Sequence, residues 1–305
     1  MGKKLKIALC VPTPKVWIQS STLPLGIAYI AAVLEKEGHD VSVIDFGVDK
    51  NAELPRADLV GVTATTPLVM QAWRILEKAK GMGALTMIGG PHVSTLPDES
   101  LELGYVDYVI RREGEETVKE LCDAIASGGA LENIKGLSFI RNGQIVTNPN
   151  REFISAKELD FLPSPAYHLF PPLKSYTNPQ PLLSRRSPSA NMITSRGCPF
   201  DCYFCYKDIS GRSWRPRSPE NVLKEWEFLV RTMKVKEIAI QDDLFNTNIK
   251  RAEEICDLIV KHDLVVPWSL HNGMRADIIS ERLLTKMKQA GCYRIAYGVE
   301  TVNAE

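Results

Sequence analysis

No apolar run in this sequence approaches the roughly 18 residues that a membrane-spanning helix requires. Its start, Met1-Gly2-Lys3-Lys4, leads straight into Leu5-Lys6-Ile7-Ala8-Leu9-Cys10, with neither the apolar stretch nor the cleavage site of a signal peptide. A charge imbalance is missing too: 37 Lys and Arg face 37 Asp and Glu, so there is no electrostatic footprint of a nucleic-acid or anionic-membrane binder. The first strand is not followed by G-x-G-x-x-G, which weakens a standard dinucleotide reading, and no G-x-x-x-x-G-K-[ST] loop exists to cradle a triphosphate. A disulfide framework is not expected either, because the 7 cysteines are spread through a long chain without a secretion signal. These absences predict a cytoplasmic protein with no membrane span and no nucleic-acid partner.

What is present is an alternation of short apolar runs and helical patterns over 305 residues, a length that suggests roughly two domains. Strands are expected at Leu5 to Val11, Val41 to Asp45, Leu59 to Thr65, Thr86 to Gly89 and Tyr108 to Ile110. Between them, helices are expected at Leu25 to Glu37 (stopped by Gly38), Pro67 to Lys80 and Glu115 to Ser127. Strand–helix alternation predicts an α/β fold, a doubly wound parallel sheet whose ligand sits beyond the carboxyl ends of its strands, over residues 1–133. Residues 134–185 read as a hairpin around Asn142-Gly143 followed by an ordered proline-rich connector. Alternation resumes over residues 186–305, with strands at Met192 to Ser195, Glu237 to Gln241, Trp268 to Leu270 and Tyr293 to Val299. Ser218-Pro219-Glu220 marks a capped helix start. Four strands leave a sheet edge unpaired, so the second half is expected to be an incomplete barrel, either part of a longer protein or completed by another chain.

The densest signal is Gly197-Cys198-Pro199-Phe200-Asp201-Cys202-Tyr203-Phe204-Cys205, a C-x3-C-x2-C loop placed after a strand. Three thiolates this close can hold three irons of a cubane cluster and leave the fourth iron open for a substrate to chelate. The competing reading is structural zinc, which needs four closed ligands. Cys256 lies in a helical apolar stripe, and His271 is the only plausible histidine downstream, so zinc is the weaker reading.

Ile193-Thr194-Ser195-Arg196-Gly197, the three cysteines and Phe204 together resemble the radical S-adenosylmethionine (SAM) superfamily. The resemblance implies a (β/α) barrel, a [4Fe–4S] cluster on Cys198, Cys202 and Cys205, and SAM chelated to the open iron. SAM is then cleaved reductively to a 5′-deoxyadenosyl radical, with electrons from a reductant such as flavodoxin or ferredoxin. It also implies SAM contacts from later strand ends: Phe204 against the adenine, Asp242 or Asp243 for the ammonium, Arg275 for the carboxylate by bidentate geometry, and Glu300 for the ribose or methionine end. Which aspartate serves stays open.

The strand ends of the first half resemble the cobalamin-binding domain that precedes the radical SAM domain in one large branch. The matching stretches are Leu25 to Val41, Ala57 to Thr63, Gly89-Gly90-Pro91-His92, and Asp107 to Glu115. The resemblance implies cobalamin contacts from Leu25, Gly26, Thr63, Thr65, Gly89, Gly90, His92 and Glu113. The Asp-x-His-x-x-Gly of cobalt-ligating domains is missing, so His92 is expected beside the corrin and not on the metal. Arg112 departs from the pattern, which has Gly there. Many members of the branch are methyltransferases. The implied reaction is methyl transfer to an unactivated carbon of an organic substrate, with a cobalamin-using radical cyclase or rearrangement enzyme as the alternative, and a non-catalytic cluster- or cobalamin-binding fragment as another.

Overall fold

The computed structural model describes residues 3–13, 22–176 and 184–299. They form two compact units, Met1–Ile154 with Leu162–Ser175, and Ser155–Phe161 with Tyr176–Glu305.

The first unit runs β1 (Lys6–Val11), α1 (Leu25–Lys36), β2 (Asp40–Asp45), β3 (Leu59–Thr63), α2 (Val69–Gly81), β4 (Leu85–Gly89), α3 (Pro91–Thr95), α4 (Pro97–Leu101), β5 (Tyr108–Ile110), α5 (Glu115–Ser127), β6 (Leu137–Arg141) and β7 (Gln144–Thr147). These strands build one sheet in the order β2-β1-β3-β4-β5-β6-β7. The first five are parallel, and the last two join antiparallel. Strands β1 and β3 are buried almost end to end, as parallel strands covered on both faces must be. The order reverses between β1 and β3, the switch point where doubly wound sheets bind ligands.

The hairpin is therefore the antiparallel margin of the first sheet, and not a feature of a separate connector. Arg111 ties it down: its buried guanidinium donates to Asn150 Oδ1 and to the carbonyls of Leu137 (3.3 Å) and Asn148. The first part of the proline-rich stretch has its own task. Ala166, Tyr167, Phe170 and Leu173 are buried, and the Ala166 amide donates to the Ala28 carbonyl of α1 at 3.0 Å. That cover explains why α1 is apolar nearly all round.

The second unit runs α6 (Ala156–Leu159), β8 (Ser189–Met192), β9 (Ser195–Arg196), β10 (Arg215–Pro216), α7 (Pro219–Glu227, continued by a π-helical turn over Phe228–Thr232), β11 (Glu237–Ile240), α8 (Ile249–Lys261), β12 (Trp268–Leu270), α9 (Glu281–Gln289) and β13 (Cys292–Ile295). Four parallel strands stand in the order β13-β12-β11-β8, a partial (β/α) barrel, while β9 and β10 pair antiparallel. The helix start at Ser218 is capped as the sequence predicts, its hydroxyl accepting the Asn221 amide (3.2 Å); in the same way Asn248 accepts the amide of Arg251 (3.1 Å) and Ser280 that of Leu283 (3.1 Å). Trp226 and Trp268 meet edge to face at 6.0 Å in the core. At the amino ends of the strands, buried Glu237 accepts the amides of Arg185 (2.9 Å) and Arg186 (2.8 Å) and the Tyr293 hydroxyl (2.5 Å). Burial and that carboxylate push the Tyr293 hydroxyl up to about 12.

Two strands differ from expectation. The one placed at Met192 to Ser195 lies at Ser189–Met192, because Thr194 and Ser195 turn out of the ladder to hydrogen-bond Asp242. The last strand ends at Ile295, and the Ala296 carbonyl instead takes the Met274 amide at 3.1 Å.

Two left-handed residues in the first unit behave oppositely. Gly90 has φ +103°, and a Cβ there would sit 2.8 Å from the Ala64 carbonyl oxygen. Arg112 has φ 62°, which accounts for the glycine of the usual pattern; its guanidinium lies 5.0 Å from the Phe153 ring centroid. Gly90→Ala should therefore destabilise by about 2 kcal/mol or more. Arg112→Gly should stay within about 1 kcal/mol of the unaltered chain, since relieved strain offsets the lost cation–π contact. Urea unfolding followed by fluorescence measures both.

Candidate functional site: a thiol loop and a strand-end shelf

In the second unit residues 197–214 form a loop closed at its neck by β9 and β10, with Arg196 opposite Arg215. Gly197 has φ +78°, and a Cβ there would lie 2.3 Å from the Ser213 carbonyl oxygen and 2.7 Å from that of Ser210. Only glycine lets the two arms of the loop approach so closely. Internal bonds shape the rest. The Gly211 amide donates to the Lys207 carbonyl (2.8 Å), the Cys205 amide to the Cys202 carbonyl (3.1 Å), and the buried Lys207 ammonium to the Phe200 carbonyl. Arg212 pairs with Asp201 at the surface.

The seven cysteines divide by environment. Cys10, Cys122 and Cys256 are buried, and desolvation raises the thiols of all three, and of half-buried Cys292, to about 12. Cys198 is half-buried, Cys202 and Cys205 are exposed, and none is in a disulfide. Among the described residues no three His, Cys, Asp or Glu side chains are drawn together closely enough to hold a metal ion. The loop carries the thiols on one short arc without gathering them at a point. As a donor set they suit an iron–sulfur cluster: soft, accessible, unpaired sulfurs on a loop anchored at both ends. From Tyr203 on, the aromatic side chains of the loop face solvent, Tyr203 fully, Phe204 at 71% and Tyr206 at 49% exposure.

The residues expected to bind SAM separate. Asp242, at the end of β11, is 2% exposed. Its carboxylate accepts the Thr194 amide (2.5 Å), the Thr194 hydroxyl (2.5 Å) and the Ser195 hydroxyl (2.7 Å). Burial pushes its carboxyl up, against the pull of Arg251 and these donors. Asp243 is exposed and accepts the Gly197 amide at the loop entrance (3.0 Å). Arg275 stacks over the Phe200 ring at 3.9 Å and is held by Asp277 through two bonds (2.8 and 2.5 Å). The Phe200 contact places it beside the thiol loop, and the Asp277 carboxylate, then the nearby Cys202 and Cys198, raise its guanidinium pKa. Glu300 lies outside the described residues.

In the first unit the expected shelf residues stand at the carboxyl ends of β3, β4 and β5 and at the start of α1. Leu25 is buried and Gly26 exposed; Thr63, Gly89 and Glu113 are half-buried, and Thr65 is exposed. The His92 ring is fully engaged, Nδ1 with Thr66 Oγ1 (3.2 Å) and Nε2 with Glu99 Oε2 (3.0 Å), and it packs edge-on to Trp73. Glu113 accepts the Ile154 amide (2.8 Å). Ser94, unmarked by any sequence motif, bridges two strand-end loops: its hydroxyl donates to the Gly90 carbonyl (2.9 Å) and accepts the Arg112 amide (2.8 Å). Arg251 and Lys207 were likewise unmarked. A buried Arg or Lys reads in sequence as a solvated face, and nothing short of the fold reveals otherwise.

The division of the thiols is open to chemical test. Iodoacetamide at pH 8 and low concentration should alkylate Cys198, Cys202 and Cys205 of the native metal-free chain. It should spare Cys10, Cys122, Cys256 and Cys292 until denaturant is added, because only an accessible thiolate reacts. Peptide mass spectrometry reads the sites.

Comparison with known proteins agrees with this geometry. Residues 17–122 match the B12 binding domain family and residues 192–305 match the Radical SAM superfamily. An uncharacterized methyltransferase of Pyrococcus horikoshii is 34% identical over 99% of this chain and 66% of its own length. An anaerobic magnesium-protoporphyrin IX monomethyl ester cyclase of Rubrivivax gelatinosus is 28% identical over 91% of this chain and 51% of its own length. The chain thus spans two thirds or less of these relatives. Among solved structures, the cobalamin-dependent S-adenosylmethionine radical enzyme OxsB, with aqua-cobalamin and S-adenosylmethionine bound, superposes with a TM-score of 0.79 at 22% identity, covering 97% of this chain and 44% of that one. The chain belongs to the radical SAM superfamily, in the branch that carries a B12-binding domain ahead of the radical SAM domain.

Proposed function

We propose that this chain serves an enzyme that cleaves SAM reductively and transfers a methyl group, carried by cobalamin, to an unactivated carbon of an organic substrate. The observation that carries the reading is the placement of three accessible thiols on an anchored loop at the carboxyl end of a parallel strand, with Asp243 after the adjoining strand β11 and Arg275 after the next strand, β12. A [4Fe–4S] cluster held there supplies one electron for cleavage of the sulfonium, and cobalamin supplies the methyl carrier.

The chain's own residues bind and orient. Cys198, Cys202 and Cys205 are the cluster ligands. Asp243, the accessible acid of the pair, accepts from the SAM ammonium, and Arg275 exchanges Asp277 for the SAM carboxylate. Phe204 lies against the adenine, and Glu300 contacts the ribose or methionine end. In the first unit Leu25, Gly26, Thr63, Thr65, Gly89, Gly90 and Glu113 form the corrin shelf, with His92 fixed behind it by Thr66 and Glu99. Methyl transfer is supported by the Pyrococcus relative named a methyltransferase along 99% of this chain. The cyclase relative favours the second reading, radical cyclisation with the same two cofactors. A flavodoxin or ferredoxin is the fitting reductant and the cytoplasm the fitting compartment. Among the described residues no helix is long and apolar enough to cross a membrane.

Cys202→Ala should abolish 5′-deoxyadenosine formation with dithionite while leaving hydroxocobalamin uptake, read by corrin absorbance, unchanged. The unaltered chain, given reduced cobalamin and SAM, should form S-adenosylhomocysteine. Deoxyadenosine without S-adenosylhomocysteine would favour the cyclase.

A further inference from the structure

We propose that Asp242 and Arg251 are positioning residues that hold both ends of the thiol loop from beneath, and that neither touches the substrate. As an account of a cluster-binding loop this rests on the function proposed above; as an account of the loop's conformation it does not.

The loop leaves the sheet through Thr194 and Ser195 and returns through Arg215, Pro216 and Arg217. Asp242 holds the way out. Its three acceptor bonds fix the Thr194 backbone and both hydroxyls, and Ser195 lies three residues before Cys198. A carboxylate has about four lone-pair sites, and three are occupied here by donors from the loop neck. At 2% exposure the group has no face left for a ligand.

Arg251, in the first turn of α8 and 7% exposed, joins the two ends. One terminal nitrogen donates to the Thr194 carbonyl at 2.6 Å, and Nε donates to the Arg217 carbonyl at 2.8 Å. The Arg217 amide closes the same circuit by donating to the Thr194 carbonyl at 3.0 Å. The guanidinium also lies 5.6 Å from the ring centroid of Trp214, the residue just before β10, whose indole N–H reaches the Leu244 carbonyl at 3.1 Å. Entry strand, exit strand and the segment after β11 are thus cross-linked through two buried side chains.

Such a pair is a poor device for stability alone, since burying opposite charges often does no better than packing apolar groups in their place. Desolvation is visible on both: it pushes the Asp242 carboxyl up and draws the Arg251 guanidinium down to about 10. What the pair supplies is directional. A planar fork that bridges two carbonyls, and a carboxylate that takes one amide and two hydroxyls, set the angle of the loop neck in a way apolar packing cannot.

The exposed Tyr203, Phe204 and Tyr206 provide a direct probe, because chymotrypsin cuts after aromatic residues in chain that opens locally. In the metal-free full chain, Asp242→Ala and Arg251→Lys should each raise the rate of cleavage within residues 203–206 about tenfold, a local opening change near 1.4 kcal/mol. Asp242→Asn keeps an oxygen for the Thr194 amide and should stay within about threefold of the unaltered chain. The thermal midpoint should not move with the cleavage rate. After anaerobic reconstitution with ferrous iron and sulfide, Asp242→Ala should retain about a third or less of the iron of the unaltered chain. SAM affinity of the loaded fraction should stay within about twofold. Asp243→Ala, by contrast, should lose SAM affinity in the fraction that loads iron.

The proposal is overturned if Asp242→Ala shows unaltered loop cleavage and iron loading, or if it loads iron fully and loses SAM binding. It is also overturned if cleavage rises only in step with a lowered thermal midpoint. Should Asp242→Ala fail to fold, Arg251→Lys decides by the same cleavage reading. If the unaltered chain takes up no iron, the function proposed above falls, while the cleavage comparison still decides the positioning role.

Discussion

Parallel pairing is the constraint on which both units depend. Strands that run the same way deliver their carboxyl ends to one pole, and the turns that follow them must share that space. In the first unit this brings the ends of β3, β4 and β5 together, each with its own turn. In the second it sets the segments after β8, β11 and β12 side by side. Residues distant in sequence, such as Thr194, Asp242 and Asn272, meet because the sheet leaves them no alternative: the Asn272 side chain reaches the Gln241 carbonyl at 3.0 Å, as Asp242 reaches Thr194.

Polar groups then refine what the sheets gather. In the second unit burial is graded. Asp242 lies inside, and Asp243, next to it, lies outside, because successive residues leaving a strand point to opposite sides. In the first unit Ser94 and His92 occupy the same short helix and brace different neighbours, one toward Arg112, the other toward Thr66 and Glu99. Each brace satisfies a group that burial would otherwise leave at a cost of about 1–3 kcal/mol.

Much of this was legible beforehand. The alternation of elements, the Asn142-Gly143 turn and the capped start at Ser218 are local signals, and the structure places them as read; the spacing of the three cysteines is a local signal as well. What could not be read was whatever depends on a partner far along the chain. The strand expected at Met192 to Ser195 shifted because Asp242, nearly fifty residues on, competes for its amide. The apolar circumference of α1 makes sense only once residues 162–175 are seen to cover it. Neither aspartate of the pair carries a local mark of which one turns inward. Arg251 sits in a helical pattern where a solvated arginine would look identical.

The division of the chain into its units is discontinuous. Ser155–Phe161 belongs with the second unit, and Leu162–Ser175 returns to the first before the chain departs again. The Asp160 carboxylate accepts the Ser218 amide at the head of α7 (2.9 Å), so the short excursion is bonded where it lands. No single cut can therefore liberate both units whole. A break before residue 155 takes the cover from α1, and one after residue 175 takes Asp160 from α7. The two halves are interlaced parts of one polypeptide, and shuffling either one between genes would need its interleaved segment to travel with it.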